Sequence, residues 1–247
     1  MKTIAVYSTK GGVGKTTTAV NLAWLASQQG RVLLWDLDPQ GATTYLLSVR
    51  PKVKGGVDRL IRGDGDVAKS IRQTDYPQLD VLPADESYRD LDLHLEDVKK
   101  STSRVHRVLK RLSESYDTVI LDSPPGASLV ARNVIDAADA IVVPLVPAAL
   151  SLRAFDQVAD LVQMQDARTP ILGFFSMADR RRKAQATAIE ELPGLDSRIV
   201  PVVVPSTSIV EQMGVRRAPV ATFAPHSPAA TAYSDLWAAV EGIVSQH

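Results

Sequence analysis

The chain has 247 residues, 45% of them hydrophobic and 23% charged, an ordinary globular composition that excludes extensive disorder. Its 28 basic and 28 acidic side chains cancel, which excludes a surface coated with positive charge for nucleic acid but leaves room for local basic patches. Without cysteine there is no disulfide, thiolate metal site or cysteine nucleophile, which fits a reducing cytosol.

The first predicted strand, Thr3–Thr9, runs into Lys10-Gly11-Gly12-Val13-Gly14-Lys15-Thr16-Thr17, and a helix is predicted over Lys15–Gln29. A strand, a glycine turn and a helix in that order are the setting of a phosphate loop. The glycines let backbone N–H groups approach phosphate oxygens, and the helix start adds its positive dipole end. Lys15 supplies a full charge to the terminal phosphates, and the Thr16 hydroxyl is placed for Mg²⁺. Thr9 stands where the general pattern has its first glycine, and Lys10 is an extra cation. From there it serves the phosphates held by Lys15 poorly, and as a lone residue it reads as a solvated surface lysine.

The second strand, Arg31–Asp36, ends in Asp36-Leu37-Asp38-Pro39-Gln40. Carboxylates at the carboxyl end of a parallel strand lie where ligands bind, and the two-residue period gives Asp36 and Asp38 like orientation. Either could instead cap the next helix. Residues Val49–Asp75 are the least regular and read as an insertion. A strand at Leu79–Pro83 and a helix over Leu91–Ser115 follow. The next strand, Thr118–Asp122, ends in an aspartate before Ser123-Pro124-Pro125-Gly126.

A helix at Val130–Ala138 leads to a strand at Ala140–Val146. The apolar run Ala140–Leu150 is too short to span a bilayer, which takes about 20 residues. Then come a helix at Ser151–Gln165, a strand at Ile171–Met177 with Asp179 just beyond it, and a helix at Ala184–Leu192. A strand at Val200–Val204 ends at Pro205, and helices at Ser208–Val215 and Ala229–Ser245 complete the chain. Several strands are apolar on consecutive positions, as strands buried on both faces are. The expected fold is α/β, a mostly parallel central sheet flanked by helices on both faces, in a single domain over residues 1–247.

Three basic runs stand out. Arg180-Arg181-Arg182-Lys183 and Arg216-Arg217 are candidate DNA contacts, while Lys99, Lys100, Arg104, Arg107, Lys110 and Arg111 share a helix with acids and read as a solvated face. On the last helix Leu236, Trp237, Val240 and Val244 share one side, and the polar side through His247 carries Asp235 and Glu241 but no lysine or arginine. A lipid-surface helix prefers a cationic polar face, so this helix is expected in the core and membrane targeting is not expected.

The Lys-Gly-Gly-Val-Gly-Lys-Thr-Thr turn resembles the deviant Walker A motif of the ParA/MinD family, a group of P-loop NTPases. The resemblance covers essentially the whole chain, through Asp-x-Asp-Pro-Gln, the strand ending at Asp122 with its Pro-Pro segment, and the late proline. It implies an ATPase that uses ATP and Mg²⁺. Lys10 would cross an ATP-sandwich homodimer to the partner's phosphates, and Gly11, Gly12, Val13, Gly14, Lys15, Thr16 and Thr17 would hold ATP. Asp38 would position the attacking water. Thr16, Asp36 and Asp122 would stand around the metal, and Pro205 and Asp179 at the base. Adenine is likewise implied by the family, and the sequence has no Asn-Lys-x-Asp guanine-reading segment.

The resemblance further implies a cytoplasmic, nucleoid-associated protein that holds nonspecific DNA. Its hydrolysis would be stimulated by a ParB-like or adaptor protein on a plasmid, chromosome or protein cargo. Few arginines per protomer would bind weakly, and pairing would roughly multiply the affinities. The alternatives are a metabolic or cofactor-assembly enzyme of the same fold, a MinD-like membrane-surface ATPase, and a scaffold that binds ATP without hydrolysing it. The lack of cysteine speaks against cluster assembly. Since the sequence opens directly on the first strand, no specific operator binding is expected.

Overall fold

The computed structural model describes residues 1–148, 150–165 and 169–245; Ala149 of the apolar run and Gln246 and His247 of the last stretch lie outside them. An eight-stranded sheet is built from β1 (Lys2–Val6), β2 (Val32–Asp36), β3 (Arg72–Gln73), β4 (Leu79–Leu82), β5 (Thr118–Asp122), β6 (Ala140–Leu145), β7 (Ile171–Ala178) and β8 (Ile199–Pro205). The order across the sheet is β3-β4-β2-β5-β1-β6-β7-β8. Every pairing is parallel except the short β3–β4 contact. The expected α/β fold, mostly parallel with helices on both faces, is the fold observed.

Strand parity divides the interior in two. In β1, Ala5 faces one core and Ile4 and Val6 face the other. One core is closed by the helices Gly56–Arg62, Leu91–Glu96, Arg104–Lys110, Leu129–Ala137, Ser151–Gln163 and Lys183–Leu195. The other is closed by Lys15–Ser27 and Pro228–Val244. Leu236, Trp237, Val240 and Val244 of the last helix are all buried in that second core. No helix among the described residues is long and apolar enough to cross a membrane.

Pro144 sits inside a central strand, where proline removes a ladder donor. Ile141 N–H bonds to the Pro170 carbonyl on the β7 side. Alternation therefore turns position 144 toward β1, and β1 has already left the sheet after its last pair with β6, Val6–Val142. The missing donor costs no hydrogen bond there. At the outer edge, β8 carries Pro201 and Pro205 and pairs with β7 through two register shifts.

The helix expected over Leu91–Ser115 is broken. It divides into Leu91–Glu96, a 3-10 turn at Ser101–Ser103 and Arg104–Lys110, with Lys100 in the left-handed region at φ 56. Asn133 Oδ1 accepts the N–H groups of Arg104 and Val105 at 2.7 and 3.2 Å, starting the second helix afresh. The irregular stretch after Val49 contains the helix Gly56–Arg62 and the edge strand β3.

Candidate nucleotide-binding site

The tips of β1, β2 and β5 adjoin, with Asp36 and Asp122 paired in register and Val6 beside Asp122. After β1 the chain turns through Lys10–Gly14 into the helix Lys15–Ser27. Gly14, with φ 91, is the residue before that helix, and a Cβ there would lie 2.7 Å from Ser176 Oγ. Both the backbone angle and the close approach of β7 require glycine. Its carbonyl accepts Thr18 N–H and the hydroxyls of Thr17 and Thr18.

The two lysines of the turn part company. Lys15 is 7% exposed, and its Nζ donates to the Lys10 carbonyl at 3.0 Å. Burial pulls its pKa down, while Asp122 and then Asp38 oppose that shift. Lys10, Gly11 and Gly12 are exposed, and Val13 is buried beneath them. The Pro-Pro segment is stapled to the start of the loop. Gly126 N–H donates to the Thr9 carbonyl at 3.1 Å, and Tyr7 Oη–H donates to the Gly126 carbonyl at 2.8 Å.

Three carboxylates differ in what satisfies them. Asp36 is wholly buried, and its Oδ2 accepts Thr44 N–H and the Thr44 hydroxyl at 2.8 and 2.6 Å. Asp36 Oδ1 accepts Asp38 N–H at 3.3 Å. Asp38 is partly exposed, and its Oδ1 accepts Gln40 N–H at 2.9 Å. Asp122 is wholly buried, its Oδ2 accepting the Thr43 hydroxyl at 2.7 Å while Oδ1 has no hydrogen-bond partner. Burial pushes Asp36 up to about 6 against its hydrogen bonds from Thr44 and Asp38, and pushes Asp122 up to about 7, helped by Asp36 and opposed by Thr43 and Thr16.

Asp122 offers a buried carboxylate oxygen without a partner, and the Thr16 hydroxyl is near enough to act on the same carboxyl, a donor pair that suits a hard divalent cation such as Mg²⁺. Among the described residues no group of three or more His, Cys, Asp or Glu could hold a metal ion alone, so phosphate and water oxygens would complete the shell. The Asp36 carboxylate is engaged by the loop that follows it, a geometry suited to fixing that loop rather than to touching the cation.

Asp179 and Pro205 come together. With Arg180, Arg181, Ser206, Thr207 and neighbours they line an open cleft of about 640 Å³ beyond β7 and β8. Arg181 Nε and Nη2 fork onto Asp179 Oδ1 and Oδ2 at 2.8 and 3.1 Å, and Arg182 Nε lies 3.6 Å from Asp179 Oδ2. That fork holds the Asp179 carboxyl below the usual carboxylate range. The arginines named as candidate DNA contacts thus begin at the rim of the cleft expected for the base, while Lys183 starts the next helix. Arg216 and Arg217 are exposed and lie apart from that cleft, stacked over Phe223 and Tyr45 at 5.0 and 4.2 Å.

Sequence reasoning missed Thr43, Thr44 and Asn21. Thr43 and Thr44 follow Asp-x-Asp-Pro-Gln closely, but the helix they sit on is preceded by Gly41 with no side-chain cap, so no capping pattern marks Thr44 as the partner of Asp36 eight residues before it. Nothing in the spacing signals Thr43 as a partner of Asp122.

Comparison with known proteins agrees with this geometry. A family model described as an AAA domain matches residues 1–171. The sporulation initiation inhibitor protein Soj of Bacillus subtilis is 31% identical over 243 residues, covering 95% of this chain and 96% of Soj. The chromosome partitioning protein ParA of Myxococcus xanthus is 30% identical over 210 residues, covering 82% of this chain and 74% of that protein. Among solved structures, an ATP complex of a Cyanothece McdA variant superposes with a TM-score of 0.82 at 24% identity, over 98% of this chain and 95% of that one. Cobyrinic acid a,c-diamide synthase of Mycobacterium smegmatis with bound ADP and magnesium gives 0.78 at 26%, over 97% and 94%.

Proposed function

The chain belongs to the ParA family of deviant Walker P-loop ATPases, and from that premise we propose that it is an ATP-switched ATPase that pairs on ATP, holds nonspecific DNA as a dimer and positions a large cargo. The cargo is a plasmid, a chromosome or a protein body carrying an adaptor that stimulates hydrolysis. Localisation then follows from DNA: cytoplasmic, on the nucleoid. The names of its relatives support the cargo class, two of them being partitioning and sporulation-control proteins.

The observation that carries the reading is the split between Lys15 and Lys10. Lys15 is buried and bonded to the Lys10 carbonyl, while Lys10 is exposed on the same turn. One lysine therefore serves the protomer's own triphosphate, and the other is free to serve a triphosphate held opposite. Gly11 to Thr17 cradle the phosphates with backbone N–H groups. Thr16 and Asp122 would hold Mg²⁺, which would supply neutralisation of the phosphate charge. Asp38, close enough to Lys15 to act on its charge, orients the attacking water. Asp36 keeps the Asp38 loop in place through Thr44. Pro205 and Asp179 border the adenine, with Arg181 bracing Asp179.

The test is gel filtration of the parent protein, Lys10→Ala and Asp38→Ala with ATP, Mg²⁺ and random-sequence DNA. The parent should double in mass and carry DNA. Lys10→Ala should bind ATP yet remain single and off DNA. Asp38→Ala should stay paired on DNA without turnover. A Lys10→Ala protein that pairs like the parent would sink the reading. Turnover that required a small-molecule co-substrate and ignored DNA would point instead to a metabolic enzyme, as the diamide synthase likeness would then suggest.

A further inference from the structure

The turn carrying Arg216 and Arg217 is gripped from two sides by the helices that begin at the nucleotide site. From one side comes Asn21, on the helix Lys15–Ser27 and only 2% exposed. Its Oδ1 accepts Val220 N–H at 2.8 Å, and its Nδ2 donates to the Thr17 carbonyl at 2.7 Å and lies 3.3 Å from Met213 Sδ. Met213 and Val220 bracket the two arginines, so one buried amide fixes both ends of their turn. The turn itself is held against preference, since Arg217 has φ 50, uncommon outside glycine.

From the other side comes Tyr45, on the five-residue helix Ala42–Leu46. Thr43 of that helix bonds to Asp122 and Thr44 bonds to Asp36, so its position is dictated by the two buried carboxylates. Tyr45 points away from them. It is 51% exposed, and the Arg217 guanidinium lies 4.2 Å from its ring centroid. Stacking occupies the face of a guanidinium and leaves its in-plane N–H fork outward, the edge that pairs with phosphate.

We infer that Asn21 and Tyr45 are positioning residues that hold the Arg216–Arg217 turn to the nucleotide centre, so that its grip on duplex DNA phosphates follows the nucleotide bound. The inference rests on the DNA-binding reading above. A change at Asp122 or in the Asp38 loop shifts the short helix through Thr43 and Thr44, and Tyr45 carries the shift to Arg217. A change in the phosphate loop reaches the same turn through Asn21. Such coupling needs an element that both sites bias, and the Arg216–Arg217 turn, contacted from each of the two helices, is that element.

The experiment measures binding of a labelled random-sequence duplex by the full chain with ATP and Mg²⁺ or with ADP and Mg²⁺. Tyr45→Ala should weaken the ATP state by about fivefold, the weight of one exposed cation–π contact. It should leave the ADP state, ATP affinity and Tm unchanged, so the ATP-to-ADP ratio narrows, which a merely structural role would not cause. Tyr45→Phe keeps the ring and should restore the parent ratio. Asn21→Ala should narrow the ratio as well; if that variant does not fold, the Tyr45 pair decides.

Arg216→Glu with Arg217→Glu is the control. If it abolishes DNA binding while Tyr45→Ala matches the parent in affinity and ratio, the arginines contact DNA and the positioning role is overturned. If the double variant binds DNA normally, the DNA assignment of this turn fails and the inference fails with it.

Discussion

Charge is kept in two different ways along the carboxyl edge of the sheet. Around Lys15, Asp36 and Asp122 it is buried, and nearly every polar atom has one named partner. In the two late arginine runs it lies in the open, leaning on one carboxylate or one ring. Buried charges cannot move without leaving a partner unpaired, so they define a fixed centre. Exposed ones have water as an alternative, so they can be re-aimed at small cost. The first region suits chemistry that tolerates little displacement, and the second suits reversible contact with a polyanion.

The sharpest way to break this contrast is Lys15→Ala. It removes a charge-assisted contact to phosphate worth about 3 kcal/mol, roughly a hundredfold in ATP affinity. Calorimetry with ATP would read the loss, and near-normal binding would mean the buried centre is not the phosphate site. Next comes Arg216→Glu with Arg217→Glu. DNA retention with ATP should fall by roughly tenfold or more, and the slope of log affinity against log salt should flatten by about 0.9 for each phosphate no longer neutralised. ATP affinity of the isolated protomer should not change.

A third test concerns pH in metal-free protein. An aspartate in an unfolded chain ionises near pH 4, whereas Asp122 in the fold is pushed up to about 7. Between those values the folded state binds the extra proton, so stability falls as pH rises from about 4 through about 7. Asp122→Asn removes the share of that dependence due to Asp122 and leaves the share due to Asp36, whose pKa burial also raises. In chelator at pH 8 the variant should be the more stable protein, with the advantage shrinking as pH falls and gone at pH 4. Denaturant unfolding at both pH values checks this, and equal stability at pH 8 would show the carboxylate to be adequately compensated. The smallest expected effect is that of Arg181→Ala. It frees Asp179 at the cleft rim, so ATP affinity should drop by only about twofold, and DNA retention should fall by less than in the Arg216–Arg217 pair because a single exposed arginine is lost.

What the sequence disclosed follows the same division. The phosphate turn is legible because its chemistry is local: glycines, Lys15 and Thr16 act within one loop between a strand and a helix. Asp36 and Asp122 are legible because consecutive apolar residues mark a buried strand and a parallel sheet puts its strand tips on one edge. Partners chosen by tertiary packing leave no such trace. Thr43 meets Asp122 from 79 positions away, and Asn133 starts a new helix at Arg104, which periodicity alone joins to Leu91. The late arginines are legible as charge, but not that Arg181 is committed to Asp179 or that Arg217 lies over Tyr45.

Both margins of the sheet are blunted. One closes in the two-residue antiparallel stub β3, and the other in β8, with prolines at 201 and 205 and an irregular seam against β7. Neither offers a long run of open donors and acceptors on which a second copy could add strand to strand. Self-association by sheet extension, the route toward fibres, is disfavoured from either side. Copies of this chain brought to high local concentration are thereby steered away from irreversible stacking through their sheet margins.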